Sequence, residues 1–345
     1  MNDVQEPLEW TAVEAANAIR DGRISSLHYA EALLDRCHDG VDLNAFITLD
    51  EDHVREAART ADAQQDRGQI RGPLHGVPIV LKDNIDTAAL PTTGGTPSLH
   101  AHQPARDAVV ATALFAAGAI LLGKANLHEL AFGITSNNAT FGPVRNPYDP
   151  QLIPGGSSGG CGVAVAARMT TVGIGTDTGG SVRIPAALCG VYGFRPSAGR
   201  YSQDGILPIS HTRDTAGPLT RSVQDCALVD SILTGGPVAV ESVDLKGLRL
   251  GVPREYFYAD MDADLAAVVE VELERLDKLG VVLVAVDVPG VGDHNTATGF
   301  PVALYEAPIT QKAYLEGGTA GIDLPTMVQA TSSPDVHGLM TGLLG

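Results

Sequence analysis

The run Leu152 to Gly199, LIPGGSSGGCGVAVAARMTTVGIGTDTGGSVRIPAALCGVYGFRPSAG, decides how the rest of the chain is read. It carries two serine-bearing glycine loops, Gly155-Gly156-Ser157-Ser158-Gly159-Gly160 and Thr178-Gly179-Gly180-Ser181. An alanine-rich helical segment and a short β-branched run lie between them, so one helix-strand unit is expected to bring the loops together. Two serines beside flexible backbone point to acyl transfer. That chemistry also needs a base for the serine proton and donors for the oxyanion.

Outward from this run the pattern alternates. Thr11-Ala-Val-Glu14 reads as a capping box opening a helix that stops at Gly22, and Ser25 opens a second helix with Ala30, Leu33, Leu34 and Cys37 on one face. A strand is expected at Ala45 to Leu49, then a polar helix from Asp50 to about Arg67. Val77 to Leu81 makes a short apolar strand ending at Lys82. A helix from Asp107 to Ala117 and a strand from Ala119 to Leu122 follow, and the alternation returns around residues 160 to 176 and 222 to 252. Such repetition favours an α/β fold with a mixed, mostly parallel central sheet covered by helices on both faces. Further on, Asp262 to Leu279 reads as an amphipathic helix and Val281 to Val286 as a buried strand. Past Pro289 the pattern weakens, and the final SSPDVHGLMTGLLG offers no closing element.

Composition narrows the function classes. Hydrophobic residues make up 44% of the chain and charged residues 19%, ordinary globular values, and no apolar run is long enough to span a bilayer. Met1 to Trp10 is acidic and lacks the basic and apolar blocks of a signal peptide. Cys37, Cys161, Cys189 and Cys226 are widely spaced, which argues against a disulfide scaffold or a zinc site and fits a reducing, cytoplasmic setting. The net charge of -18 disfavours a nucleic acid or an anionic membrane as partner. His128-Glu129 and His100-x-His102 lack the further ligands of a metal centre, so neither metal nor cofactor is expected.

Several residues compete for the chemistry. Ser181 either acts as a nucleophile among clustered N–H groups or merely caps the helix that Pro185 begins. Gly156-x-Ser158-x-Gly160 matches a hydrolase nucleophile elbow, but the three prolines between Asn146 and Pro154 stand where its strand should be. His211, with Asp204 or Asp214, is one candidate base and reads as a solvated loop histidine. Lys82 is the other: burial lowers a lysine pKa and leaves an amine able to accept a proton, although a lysine at a strand end is more often exposed. Asp177 and Arg183 are candidate polar supports for the glycine loops, as is Arg195, for which a surface position is equally open.

Taken together, Lys82, the GGSSGG loop and GTDTGGSVRIPAALCGVYGFRPS closely resemble the amidase signature family. The resemblance is strong from about Gly72 to Gly236 and thin after Gly290. It implies a single domain over residues 1–345 with the amidase signature fold and a Ser-cisSer-Lys triad: Lys82 as base, Ser157 as bridging serine after a cis Gly156–Ser157 peptide, and Ser181 as nucleophile. Thr178, Gly179, Gly180 and Ser181 would then supply the oxyanion N–H groups, with Ser158, Asp177 and Arg183 in support. Within the family, Asn126 to Asn138 and Gly205 to Gly217 are most similar to indoleacetamide and mandelamide hydrolases. This implies a small primary arylacetamide as substrate, walled by Phe132, Ile134 and Ile184, and no cofactor. The similarity to the glutamyl-tRNA amidotransferase A subunit is weaker. Family members continue beyond position 345, so the resemblance also implies a C-terminally truncated chain, with a truncated inactive form as one alternative and association into a homodimer as another expectation.

Overall fold

The computed structural model describes residues 7–237 and 242–344. The signal-peptide reading therefore lies, for Met1 to Glu6, outside the described residues, as does part of the alternation expected over 222 to 252. The chain divides into two compact units, residues 1–238 with 303–345 and residues 239–302.

The first unit begins with α1 (Ala12–Arg20) and α2 (Ser26–Asp39). It continues through β1 (Phe46–Leu49), α3 (Glu51–Asp66), β2 (Pro78–Lys82), α4 (Val109–Ala116), β3 (Ile120–Ala125), α5 (Gly159–Ala166) and β4 (Val172–Asp177). Then come α6 (Arg183–Leu188), β5 (Tyr192–Gly193), β6 (Thr215–Thr220) and α7 (Val223–Thr234). Capping sets the early boundaries as the spacing predicts. Thr11 Oγ1 accepts from Glu14 N–H while Glu14 Oε2 accepts from Thr11 N–H at 2.8 Å, and Ser25 and Asp50 cap α2 and α3. Each such cap contributes about 1 kcal/mol.

The sheet order is β1-β3-β2-β4-β6-β5. β2 runs parallel to both β3 and β4, whereas β1 opposes β3, and β6 opposes both β4 and β5. Four strands thus point one way and two the other, the mixed, mostly parallel sheet that the alternation implied. One face carries Ile79, Leu81, Leu121, Val172 and Ile174 against α1, α4 and α7; the other carries Val80, Ile120 and Leu122 against α2, α3 and α5. Ile79, Val80 and Leu81 are fully buried, a stabilisation of roughly 1.5–3 kcal/mol each. β4 alternates apolar side chains with Gly173 and Gly175, and the glycines face α5. A Cβ at Gly175 would lie 2.6 Å from Ser158 Oγ. Bare backbone on that face lets the start of α5, and the serine loop before it, sit directly on the sheet.

The second unit holds β7 (Arg249–Val252), α8 (Arg254–Phe257), α9 (Ala263–Lys278) and β8 (Val282–Ala285), with β7 and β8 forming a two-stranded parallel sheet. Val281 to Val286 is therefore a strand but not a buried one: Val282 is 48% exposed, because β8 pairs with a single strand and α9 buries only Leu273.

The tail differs from expectation. α10 (Val291–Gly317), α11 (Leu324–Ala330) and α12 (Pro334–Leu344) occupy it, α10 containing the boundary at Ala303. Gly292, Gly299 and Pro301 interrupt the apolar pattern of α10, so no stripe marks the helix in sequence. Packing supplies what the pattern lacks. Within the first unit Ala307, Leu315, Met327, Val336 and Met340 form a third core cluster with Leu99, Leu127, Leu130 and Leu207. Among the described residues no helix is long and apolar enough to cross a membrane.

Candidate active site

Lys82 ends β2 between β3 and β4, and its side chain is fully buried. The exposed position usual for a lysine at a strand end is unavailable because β3 flanks it as far as its paired residue, Ala125, and β4 runs on past it to Asp177. Its Nζ lies 2.7 Å from Ser157 Oγ and 2.7 Å from Thr176 Oγ1. Burial pushes its pKa from the ordinary 10.5 down to about 7, against the opposing fields of Cys161, Asp177 and Asp214. A substantial share of the amine is then neutral near pH 7.

The first serine loop is held from several sides. The Gly156–Ser157 peptide is cis. His128 N–H donates to Ser157 O at 3.1 Å; Ser136 Oγ donates to Gly155 O at 2.9 Å and accepts from Gly159 N–H at 3.0 Å. Gly156 is required by close approach, since a Cβ there would lie 2.8 Å from Ser136 N and 2.9 Å from Ile134 C. Ser158 Oγ donates to Thr176 O at 3.1 Å, and Ser158 N–H donates to Ser181 O at 3.2 Å. These bonds join the two loops. They also leave Ser158 no room to act as an elbow nucleophile: no strand precedes it, and His211 is an exposed loop residue whose Nε2 lies 3.4 Å from Glu306.

Asp177 organises the second loop. Its buried carboxylate accepts Gly180 N–H at 2.8 Å, Val182 N–H at 3.1 Å, Arg183 Nε and Nη2 at 3.0 Å each, and Arg195 Nη1 at 2.8 Å. Burial alone would raise its pKa, but the Arg183 hydrogen bonds and charge, with Val182 N–H and Arg195, hold it below the usual 3.8. Arg195 is thus an internal support of the loop. Of the expected oxyanion donors, the Gly180 N–H is committed to Asp177, whereas among the described residues the N–H groups of Thr178, Gly179 and Ser181 have no partner. Thr178 Oγ1 donates to Asp214 Oδ1 at 2.5 Å, and burial pushes the Asp214 pKa up. Ser181 is 8% exposed, and its hydroxyl makes no hydrogen bond among the described residues.

The expected wall residues separate. Ile184 lies over Gly180, where a Cβ would meet Ile184 Cδ1 at 2.8 Å, and the backbone of the exposed Ile134 abuts Gly156. Phe132 goes into the third core cluster instead. Residues that sequence reasoning missed complete the arrangement: Thr176 and, donating to it at 3.1 Å, Asn84 Nδ2, together with Ser136 and His128. The Thr176-Asp177-Thr178 run carried a signal, since hydroxyls flank the carboxylate at the strand end.

A model of the amidase family matches residues 29–338. An indoleacetamide hydrolase of Agrobacterium vitis is 45% identical over 92% of this chain and 67% of its own length. A mandelamide hydrolase of Pseudomonas putida is 42% identical over 95% of this chain and 66% of its own. The solved peptide amidase of Stenotrophomonas maltophilia superposes with a TM-score of 0.86 at 31% identity, covering 98% of this chain and 75% of that one. The chain spans about two thirds of the length of the curated relatives it matches. By the extent of the family match and the level of these identities, the chain belongs to the amidase family.

Proposed function

We propose that this chain is an amidohydrolase that cleaves a primary arylacetamide, of the kind represented by indole-3-acetamide or mandelamide, to its acid and ammonia. One observation carries the reading: a fully buried lysine amine 2.7 Å from the hydroxyl of Ser157, beside the loop that presents Ser181. Neutral Lys82 takes the Ser157 proton as Ser157 Oγ takes that of Ser181. The Ser181 Oγ attacks the amide carbon, and the unpartnered N–H groups of Thr178, Gly179 and Ser181 receive the developing oxyanion. The C–N bond then breaks, the proton returns through Ser157 to the nitrogen, and ammonia leaves. Water, deprotonated by the same route, cleaves the acyl ester and restores Ser181. The Ser181 hydroxyl is free to turn toward Ser157 when substrate binds, as catalytic hydrogen bonds commonly tighten only in the complex. The aryl group is assigned from the names of the two hydrolase relatives and from the apolar Ile134 and Ile184 beside the loops.

Ammonia release from both amides tests this. Ser181→Ala is expected to abolish turnover and Lys82→Ala to lower it by about a thousandfold. Turnover at the full rate in either variant refutes the triad.

A further inference from the structure

Lys82 Nζ has two hydrogen-bond partners, and only one of them belongs to the proton relay. The other, Thr176 Oγ1, is equally close, and it is itself held. Asn84 Nδ2 lies 3.1 Å from Thr176 Oγ1 and 3.2 Å from Leu207 O. A carbonyl only accepts, so the amide nitrogen must face Leu207, which makes Asn84 a donor to Thr176. One Thr176 lone pair is thereby taken; one lone pair and one proton remain for Lys82.

We propose that Thr176, oriented by Asn84, is a positioning residue for the base: it accepts one N–H of Lys82, leaves the amine lone pair for Ser157, and holds the lysinium formed when the Ser157 proton arrives. The proposal rests on the reading of Lys82 as base. It concerns a hydrogen bond rather than the general field of the site. The titratable groups whose fields reach Lys82 are Cys161 of α5, Asp177 at the end of β4, Asp214 before β6 and His128 before the Ser136 loop. None of them bonds to Nζ. Burial pushes the Cys161 thiol up to about 12, Asp177 is paired with Arg183 and Arg195, Asp214 is bonded to Thr178, and His128 faces Asp335 at 3.0 Å. These partners stay in place when Thr176 changes.

The sign follows from the proton states. Removing the Thr176 acceptor destabilises lysinium relative to the amine, so the base titrates at lower pH and is weaker once neutral. The readout is the rate of Ser181 labelling by a fluorophosphonate between pH 5 and 9, which needs no knowledge of the substrate. Thr176→Val is expected to lower the high-pH plateau by about 10- to 100-fold and to move the midpoint down by about one pH unit. Thr176→Ser restores both. Asn84→Ala releases the Thr176 hydroxyl to rotate, so its plateau is expected to fall in the same direction as that of Thr176→Val by a smaller factor. An unmoved midpoint in Thr176→Val, with or without a loss of rate, overturns the proposal. If that variant does not fold, an unmoved midpoint in Thr176→Ala, which removes the same acceptor, does so. Lys82→Ala labelled at the wild-type rate would instead overturn the assignment of Lys82 as base; inert Lys82→Ala beside an unmoved Thr176→Val midpoint overturns only the role of Thr176.

Discussion

Replacing Asp177 by asparagine is the sharpest perturbation of the nucleophile loop. The carboxylate is fully buried and accepts five N–H groups at 2.8 to 3.1 Å, two from the loop backbone and three from Arg183 and Arg195. Asparagine keeps the shape but removes the charge and turns one acceptor into a donor that faces donors. Breaking one side of a buried ion pair costs about 3–5 kcal/mol. The Arg183 side chain is 52% exposed, so solvent screens its share and the lower end of that range applies, about 3 kcal/mol near pH 7.5. Set against a total stability of roughly 5–15 kcal/mol, such a loss is measurable. The carboxyl is held below its ordinary pKa, so its contribution is complete above the unfolded-state value near 3.9 and fades as the pH falls through the folded one. The gap between wild type and Asp177→Asn should therefore be constant from about pH 5 upward and shrink below about pH 4. Guanidinium unfolding followed by fluorescence measures it, because the chain has one tryptophan, Trp10, buried in the first unit with its ring 5.9 Å from that of Tyr29. A gap under about 1 kcal/mol at pH 7.5, or one that widens on acidification, would refute the reasoning.

Two further outcomes follow from close packing and buried charge. Gly156→Ala places a methyl against Ser136 N and Ile134 C, so Ser181 labelling should slow more than tenfold and unfolding should be easier by about 1–3 kcal/mol; wild-type labelling and an unchanged Tm contradict this. Lys124 Nζ lies 3.3 Å from Asp83 Oδ1 with both side chains fully buried, so Lys124→Met leaves a buried carboxylate uncompensated at a cost of about 3–5 kcal/mol. Adding Asp83→Asn should recover part of that loss, and strictly additive losses in the double-mutant cycle would exclude the coupling.

Much of the fold was legible because its signals are local. The Thr11 capping box, the Ser25 and Asp50 caps and the alternation of apolar strands with helices depend on neighbours a few residues apart, and the structure places these elements within a few residues of their expected bounds. The glycine loops were legible for the same reason. Bare backbone is needed where Ser158 meets Gly175 and where Ser136 meets Gly156, and the sequence displays those glycines openly. The C-terminal helices were not legible: α10 lacks a one-sided apolar stripe, and its contribution to the core arises from packing with segments roughly 100 to 200 residues away.

The sequence by itself thus determined which residues are able to do the chemistry: an amine at the end of an apolar strand, serines in glycine loops, and an acid with arginines nearby. Only the tertiary structure decided which of them meet and in what state. Lys82 is buried because β3 and β4 flank it on both sides, and that burial is what lowers its pKa toward 7. Gly180 is spent on Asp177 rather than left open, and Thr176 reaches Lys82 from a strand 94 positions later. The physical reason is range. Propensity and capping act over a few residues of chain, whereas desolvation and hydrogen bonding act over a few ångströms of space, wherever the chain happens to bring those residues.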